Sequence, residues 1–226
     1  MAGERRVVIT GIGVTAPGGI GVKAFWELLT AGRTATRAIT LFDASRFRSR
    51  IAAECDFDPA AEGLSPQEIR RMDRAAQFGV VCTREALADS NLEAGDVAPE
   101  RIGVSIGSAV GCTMGLEEEY VVLSDGGRRW LVDPAYAVPQ LYGYMVPSTM
   151  ACEIAWAAGA EGPVSLTSTG CTAGLDAVGH GCALIKFGRA EVVIAGATDA
   201  PLSPITAACF DAIRATSPHN DDPAHA

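Results

Sequence analysis

Residues 163–174 run Pro-Val-Ser-Leu-Thr-Ser-Thr-Gly-Cys-Thr-Ala-Gly, an apolar stretch that passes through Thr169, Gly170 and Cys171 straight into a helical pattern. A side chain at such a strand-to-helix elbow is exposed on a sharp turn, where a nucleophile can reach a substrate. Cys171 is the residue suited to that work. At the first turn of a helix of roughly sixteen residues it faces unpaired amides and the positive end of the dipole, which favour thiolate. The same amides can stabilise an oxyanion, and Gly170 and Gly174 leave room for a carbonyl to approach the backbone. Acyl transfer through a thioester is the chemistry this arrangement fits.

The chain has seven cysteines, Cys55, Cys82, Cys112, Cys152, Cys171, Cys182 and Cys209. They are odd in number, scattered, and never spaced as CxxC, so neither a disulfide framework nor a zinc site is suggested. Most are expected to be small reduced core residues, and the elbow is what separates Cys171 from them. Only three histidines are present, His180, His219 and His225. No metal centre and no cofactor are expected.

The elbow needs a scaffold, and the composition allows one: 48% of the 226 residues are apolar and 20% charged. Such a chain can bury enough surface to offset the entropy of ordering, which excludes collagen-like and disordered classes. The net charge of -9 argues against nucleic acid as a partner. No apolar run reaches the ~20 residues of a membrane span, and the first residues carry charges without a signal-like stretch, so no membrane partner is expected and the chain reads as cytosolic.

Four β-branched runs read as buried strands, at 5–14, 101–108, 163–169 and 191–199. Their apolar stretches are nearly continuous, as in a parallel sheet covered on both faces, and this predicts an α/β fold. Ser65, Pro66 and Glu68 form a capping-box start for a helix that should run to about Ala88. A shorter helix is expected over 23–31, stopped by Gly32. Another should span Cys171 to Gly188, with Leu175, Val178, Cys182 and Ile185 as its apolar face. Residues 109–150 are rich in Gly, Pro and aromatics without a clean period, and read as an excursion lining a site or an interface.

The Ser-Thr-Gly-Cys-Thr-Ala-Gly run at 168–174 resembles the active-site elbow of the β-ketoacyl synthases, the decarboxylating condensing enzymes of fatty-acid and polyketide synthesis. VVITGIGVTAPGG at 7–19, EIRRMDRAAQF at 68–78, IGSAVG at 106–111, VVIAGATDAP at 192–201 and ATSPHNDDP at 215–223 match the same family in order. GCTMGLEEEY, SDGGRRWLVDP and LYGYMVPS, between 111 and 148, look like the ketosynthase catalytic subunit of aromatic polyketide synthases. The resemblance implies a thiolase-like fold, with residues 1–226 forming its N-terminal half: a mainly parallel sheet between helical layers, incomplete at the C-terminus.

It also implies that Cys171 takes an acyl chain from an acyl carrier protein and offers its own N–H to the oxyanion. A malonyl unit then loses carbon dioxide and attacks the thioester. The two histidines and the lysine that assist in the family fall beyond Ala226. His180 cannot replace them, because nine residues at ~100° place it about 13.5 Å along the axis and on the other side of the helix. The expectation is the first part of a split or longer enzyme that does not condense acyl chains unaided.

Arg70, Arg71 and Arg74 cluster near the start of the helix predicted at 66–88, with Arg46, Arg48 and Arg50 nearby in sequence. By themselves they read as a solvated face. The resemblance places Arg70, Arg71 and Arg214 where an acidic carrier protein binds. It likewise places Val110, Met114 and Gly170 at the acyl pocket, Met114 one helical turn on toward a dimer contact, core packing being the ordinary alternative for Val110 and Met114. The partner implied is a chain-length-factor-type subunit, or a second copy, paired through Val164–Thr169. A different class remains open: a non-catalytic module that uses the elbow only to dock a carrier protein or a partner subunit.

Overall fold

The structure, a computed structural model, describes residues 5–93 and 95–226. Short strands β1 (Thr15–Ala16) and β2 (Gly19–Ile20) form a hairpin that leads into α1 (Val22–Thr30), and β3 (Thr36–Ala38) pairs antiparallel with β4 (Ile51–Ala53). Helices α2 (Pro66–Arg71) and α3 (Arg74–Ser90) precede β5 (Ile102–Gly107). Then come α4 (Thr113–Leu123), α5 (Leu141–Met145) and α6 (Ser148–Ala158), followed by β6 (Val164–Thr167). The chain continues through α7 (Ala173–Lys186), β7 (Val192–Ala197) and α8 (Pro204–Ala212).

Three of the four expected strands build one parallel sheet in the order β6-β5-β7. Val104 lies opposite Val164 on one side and opposite Ile194 on the other. Every residue of β5 is buried, as its unbroken apolar run requires of a strand covered on both faces. Alternation divides those faces. Val104 and Ile106 join Val80, Met150 and Ile154 in the main core beneath α3 and α6. Ser105 and Gly107 turn toward α7, where the Ser105 hydroxyl donates to the Ala177 carbonyl at 2.8 Å.

That second contact reverses one expectation. Leu175 and Val178 are exposed, and the buried seam of α7 is Ala173, Ala177 and Gly181. Small residues win here because the helix lies close to a sheet face that itself carries glycine and serine, and larger side chains would hold the two apart.

Residues 5–14 also depart from expectation and form no paired strand. Val8 is 67% and Ile9 80% exposed, since a ladder needs a neighbouring edge that β-branched composition alone does not supply. The segment is anchored to α3 instead. The Ile12 amide donates to Asp89 at 2.9 Å and the Val14 amide to Glu85 at 2.8 Å.

The helix expected over 66–88 is two helices. Ser65 and Glu68 make the capping box as anticipated, but Met72 is extended and Asp73 starts a second helix by accepting from the Ala75 amide at 2.8 Å. The excursion at 109–150 contains helices α4 and α5, with Trp130, Leu131 and Tyr142 exposed along it. Among the described residues no helix is long and apolar enough to cross a membrane.

Candidate active site: the Cys171 elbow

Ser168 to Thr172 turn the chain from β6 into α7, and Gly170 makes the corner with φ +67. Nothing lies within 4 Å of where a Cβ would stand on Gly170, so backbone conformation, and not space, calls for glycine. The Ala173 amide closes the turn on the Gly170 carbonyl at 3.0 Å. The helix proper begins at Ala173, so Cys171 sits just ahead of its N-terminus and not within the first turn. Thr172 provides no side-chain cap. The Gly174 and Leu175 amides therefore keep the unpaired character of a helix start and face back toward the elbow.

Cys171 is exposed, which leaves its sulfur open to a substrate. Cys152 and Cys209 are the other exposed thiols. Cys112 is the opposite case: buried, with its thiol pushed up to about 12 by desolvation and by the nearby Asp73 carboxylate.

The elbow rests on the C-terminal end of β5. A Cβ on Gly107 would overlap the Ala173 carbonyl, so this glycine sets how near α7 can start to the sheet. Gly174 has a similar duty, since its added Cβ would stand 3.0 Å from the Ala197 Cβ. Gly107→Ala is expected to destabilise the protein by about 1–3 kcal/mol through overpacking at the foot of α7. Urea unfolding checks this, and a shift below the measurement error would contradict the close approach.

Beyond β5 the chain is fixed by Asp199, which follows β7. Its carboxylate accepts from the Ser108 hydroxyl at 2.8 Å, the Ala109 amide at 2.9 Å and the Val110 amide at 3.0 Å. Val110 is thereby held, half-buried, three residues past the glycine under the elbow. Met114, in α4, is half-buried against the main core. A cavity of about 230 Å³ lies away from the elbow, among Arg71, Asp73, Cys112, Tyr144 and Glu153.

None of the histidines meets Cys171. His180 packs on the sheet, its Nδ1 3.1 Å from the Ser105 Oγ and 3.2 Å from the Ser165 Oγ. His219 and His225 are exposed in the last residues, and His225 lies 3.0 Å from Asp222. Among the described residues no group of three or more His, Cys, Asp or Glu side chains could hold a metal ion.

The arginines separate by role. Arg70 is exposed and has no ion pair among the described residues, and Arg214 is exposed beyond α8. Arg71 makes a forked pair with Glu153 at 2.8 and 2.6 Å, and its guanidinium lies 5.4 Å from the Trp156 ring centroid. Arg74 is committed to the Cys55 carbonyl and to the faces of Phe57 and Phe78. Arg48 reaches Thr216 and, through its amide, Asp211, which ties the segment before β4 to the turn that carries Arg214.

Sequence reasoning missed Thr169 and Asp176 beside Cys171. Thr169 and Thr172 flank Cys171; the Thr169 hydroxyl donates to the Asp176 carboxylate, and the Thr172 Oγ1 lies 3.3 Å from that carboxylate and 3.2 Å from the Thr169 carbonyl. The available signal was an acid four residues past a threonine at the start of a helix.

The model of the family "Beta-ketoacyl synthase, N-terminal domain" matches residues 4–226. The ketoacyl synthase alpha subunit of the tetracenomycin polyketide synthase from Streptomyces glaucescens is 68% identical over 223 residues, covering 99% of this chain and 52% of that protein. A solved type II polyketide synthase acyl carrier protein in complex with its ketosynthase, bound to the hexaketide, superposes with a TM-score of 0.84 at 33% identity, over 96% of this chain and 50% of that one. The ishigamide ketosynthase/chain length factor superposes with a TM-score of 0.81 at 28% identity, over 95% of this chain and 52% of that one. The chain spans about half the length of the curated relatives it matches. With a thiolase-like parallel sheet, an exposed cysteine at the strand-to-helix elbow and a match from residue 4 to residue 226, the chain belongs to the β-ketoacyl synthase family, in the region of its N-terminal domain.

Proposed function

We propose that this chain supplies the acyl-accepting site of a polyketide β-ketoacyl synthase, with Cys171 as nucleophile. The observation that carries the reading is the exposed thiol at a glycine corner, ahead of a helix whose Gly174 and Leu175 amides have no acceptor among the described residues. In the step assigned to it, the Cys171 sulfur attacks the carbonyl carbon of an acyl thioester on a carrier protein. A carbon–sulfur bond forms to Cys171, the bond to the carrier's sulfur breaks, and the proton of the Cys171 thiol ends on the departing sulfur. The amides at the start of α7 stabilise the oxyanion in between. Decarboxylation of a malonyl unit and attack of its carbanion on the thioester form the second half of the reaction. His180, His219 and His225 lie away from the elbow and are given no part in it.

Incubation of the protein with an acyl carrier protein thioester, followed by intact-mass measurement, tests the reading. One acyl increment per chain is the expected result. An unchanged mass with measurable carrier-protein binding would assign the elbow to docking alone.

Arg70 and Arg214 are the cations best placed to meet the acidic carrier protein, because neither is consumed by an ion pair among the described residues. Arg71 is proposed to take part as well while it holds Glu153. Charge reversal of Arg70 and Arg214 together is expected to weaken carrier-protein affinity roughly tenfold at low salt and to flatten its dependence on ionic strength. Unchanged affinity would remove this assignment. The β6 edge, whose outer row of backbone groups is unpaired in the three-stranded sheet, is the proposed contact for a chain-length-factor-type subunit or a second copy. Val110, Met114 and Gly170 are proposed to line the acyl pocket.

A further inference from the structure

We infer that Asp176 is a positioning residue for Cys171, acting through a hydrogen-bonded clasp that spans the elbow; the inference rests on the acyl-acceptor reading and extends it. Thr169 stands two residues before Cys171 and Thr172 one residue after it. The Thr169 hydroxyl donates to Asp176 Oδ2, and the Thr172 Oγ1 lies 3.3 Å from the same oxygen and 3.2 Å from the Thr169 carbonyl. Asp176 is itself fixed in the helix, since its amide donates to the Thr172 carbonyl at 3.0 Å. The strand end and the helix start are thus joined on one carboxylate, and the two residues between them are Gly170 and Cys171.

Glycine in a left-handed conformation has no side chain to hold it there, so the corner relies on its neighbours for a fixed geometry. The clasp provides it. With both ends held, the Cys171 sulfur keeps one relation to the Gly174 and Leu175 amides, which is what attack on a thioester carbonyl demands. An acid in the first turn also complements the helix dipole. That ordinary contribution predicts a change in stability only, whereas a clasp predicts a change in reactions that need alignment.

The test compares the full 226-residue chain with Asp176→Ala, Asp176→Asn and Thr169→Val, reading two rates at Cys171 by mass spectrometry. One is acyl transfer from a carrier-protein thioester, which needs the amide donors in register. The other is alkylation by iodoacetamide, which needs only an accessible thiolate. For Asp176→Ala and Thr169→Val the expected result is an acyl-transfer rate about 10- to 100-fold lower, with alkylation within threefold of the unsubstituted protein. Asp176→Asn, whose amide oxygen still accepts from Thr169, is expected to restore acyl transfer to within about threefold.

Equal acyl-transfer rates in the unsubstituted protein and Asp176→Ala would overturn the clasp alone. So would a parallel fall in both rates, which signals a disordered elbow, or an Asp176→Asn variant as slow as Asp176→Ala. Alkylation without any acyl transfer in the unsubstituted protein would overturn the acyl-acceptor reading itself, and the clasp with it.

Discussion

Cys171→Ala is expected to abolish acyl uptake, lowering its rate by on the order of 10³-fold or more, because no neighbouring group can form the covalent bond in its place. The effect should be confined to chemistry. The thiol is exposed, so its removal leaves no cavity and unpairs no buried group, and stability should stay within about 0.5 kcal/mol of the unsubstituted protein. Serine at this position is a sharper comparison. It keeps a nucleophilic atom at the elbow but presents an alcohol that does not ionise near neutral pH, so its acyl transfer should remain close to that of alanine. A time course of intact mass for the three proteins, with urea unfolding alongside, checks both parts. Acylation of the alanine variant at the unsubstituted rate would move the nucleophile to Cys152 or Cys209.

Asp73→Ala is expected to cost about 2–4 kcal/mol of stability, the largest loss we assign to a single side chain outside the elbow. Asp73 is 5% exposed and serves two helices. Its Oδ1 accepts from the Ala75 amide at the start of α3, and its Oδ2 accepts from the Gly115 amide in the first turn of α4, each at 2.8 Å. Alanine removes one helix cap and leaves buried amides without acceptors. In a chain of this size the loss corresponds to a fall of roughly 5–15 °C in Tm.

The same carboxyl gives a signed pH effect. Burial, which outweighs the amides of Ala75, Gly115 and Arg74 and the Arg74 charge, raises its pKa above the ordinary aspartate value. A raised native pKa means that the folded state holds its proton more tightly than the unfolded chain. The contribution is present at low pH and is lost as pH rises through the native value. Asp73→Asn lacks this titration but misplaces a donor against one amide. It should therefore be less stable than the unsubstituted protein, by a margin that narrows as pH rises out of the acidic range. A margin that widens with pH, or an Asp73→Ala loss below about 1 kcal/mol, would contradict the assignment.

What was legible in the sequence was local. The Ser65–Glu68 capping box, the apolar runs of β5, β6 and β7, and the elbow at Cys171 each carry their signal within a few residues. What was missed depends on contacts between distant residues. Residues 5–14 have strand composition but no edge to pair with among the described residues. The buried side of α7 was assigned to Leu175 and Val178 by hydrophobic period. The seam of Ala173, Ala177 and Gly181 is set by how near the helix must lie to Ser105 and Gly107, which no pattern within the helix reports. A single helix over 66–88 leaves Asp73 in its interior, although an aspartate before a helical pattern is a cap signal. At the site, the proposed nucleophile was readable because its chemistry needs a rare local setting. Thr169, Asp176 and Asp199 were not, because they act through hydrogen bonds that exist only once the turn is folded.

Three thiols are open to solvent, Cys152, Cys171 and Cys209, and only one of them stands at a helix start. The most direct measurement is therefore peptide mapping after brief exposure to a carrier-protein acyl thioester, with all three competing in one molecule. The acyl group should be found on Cys171 in excess of tenfold over Cys152 and Cys209 combined. An even distribution, or a preference for either of the other two, would mean that the elbow confers no special reactivity on its cysteine.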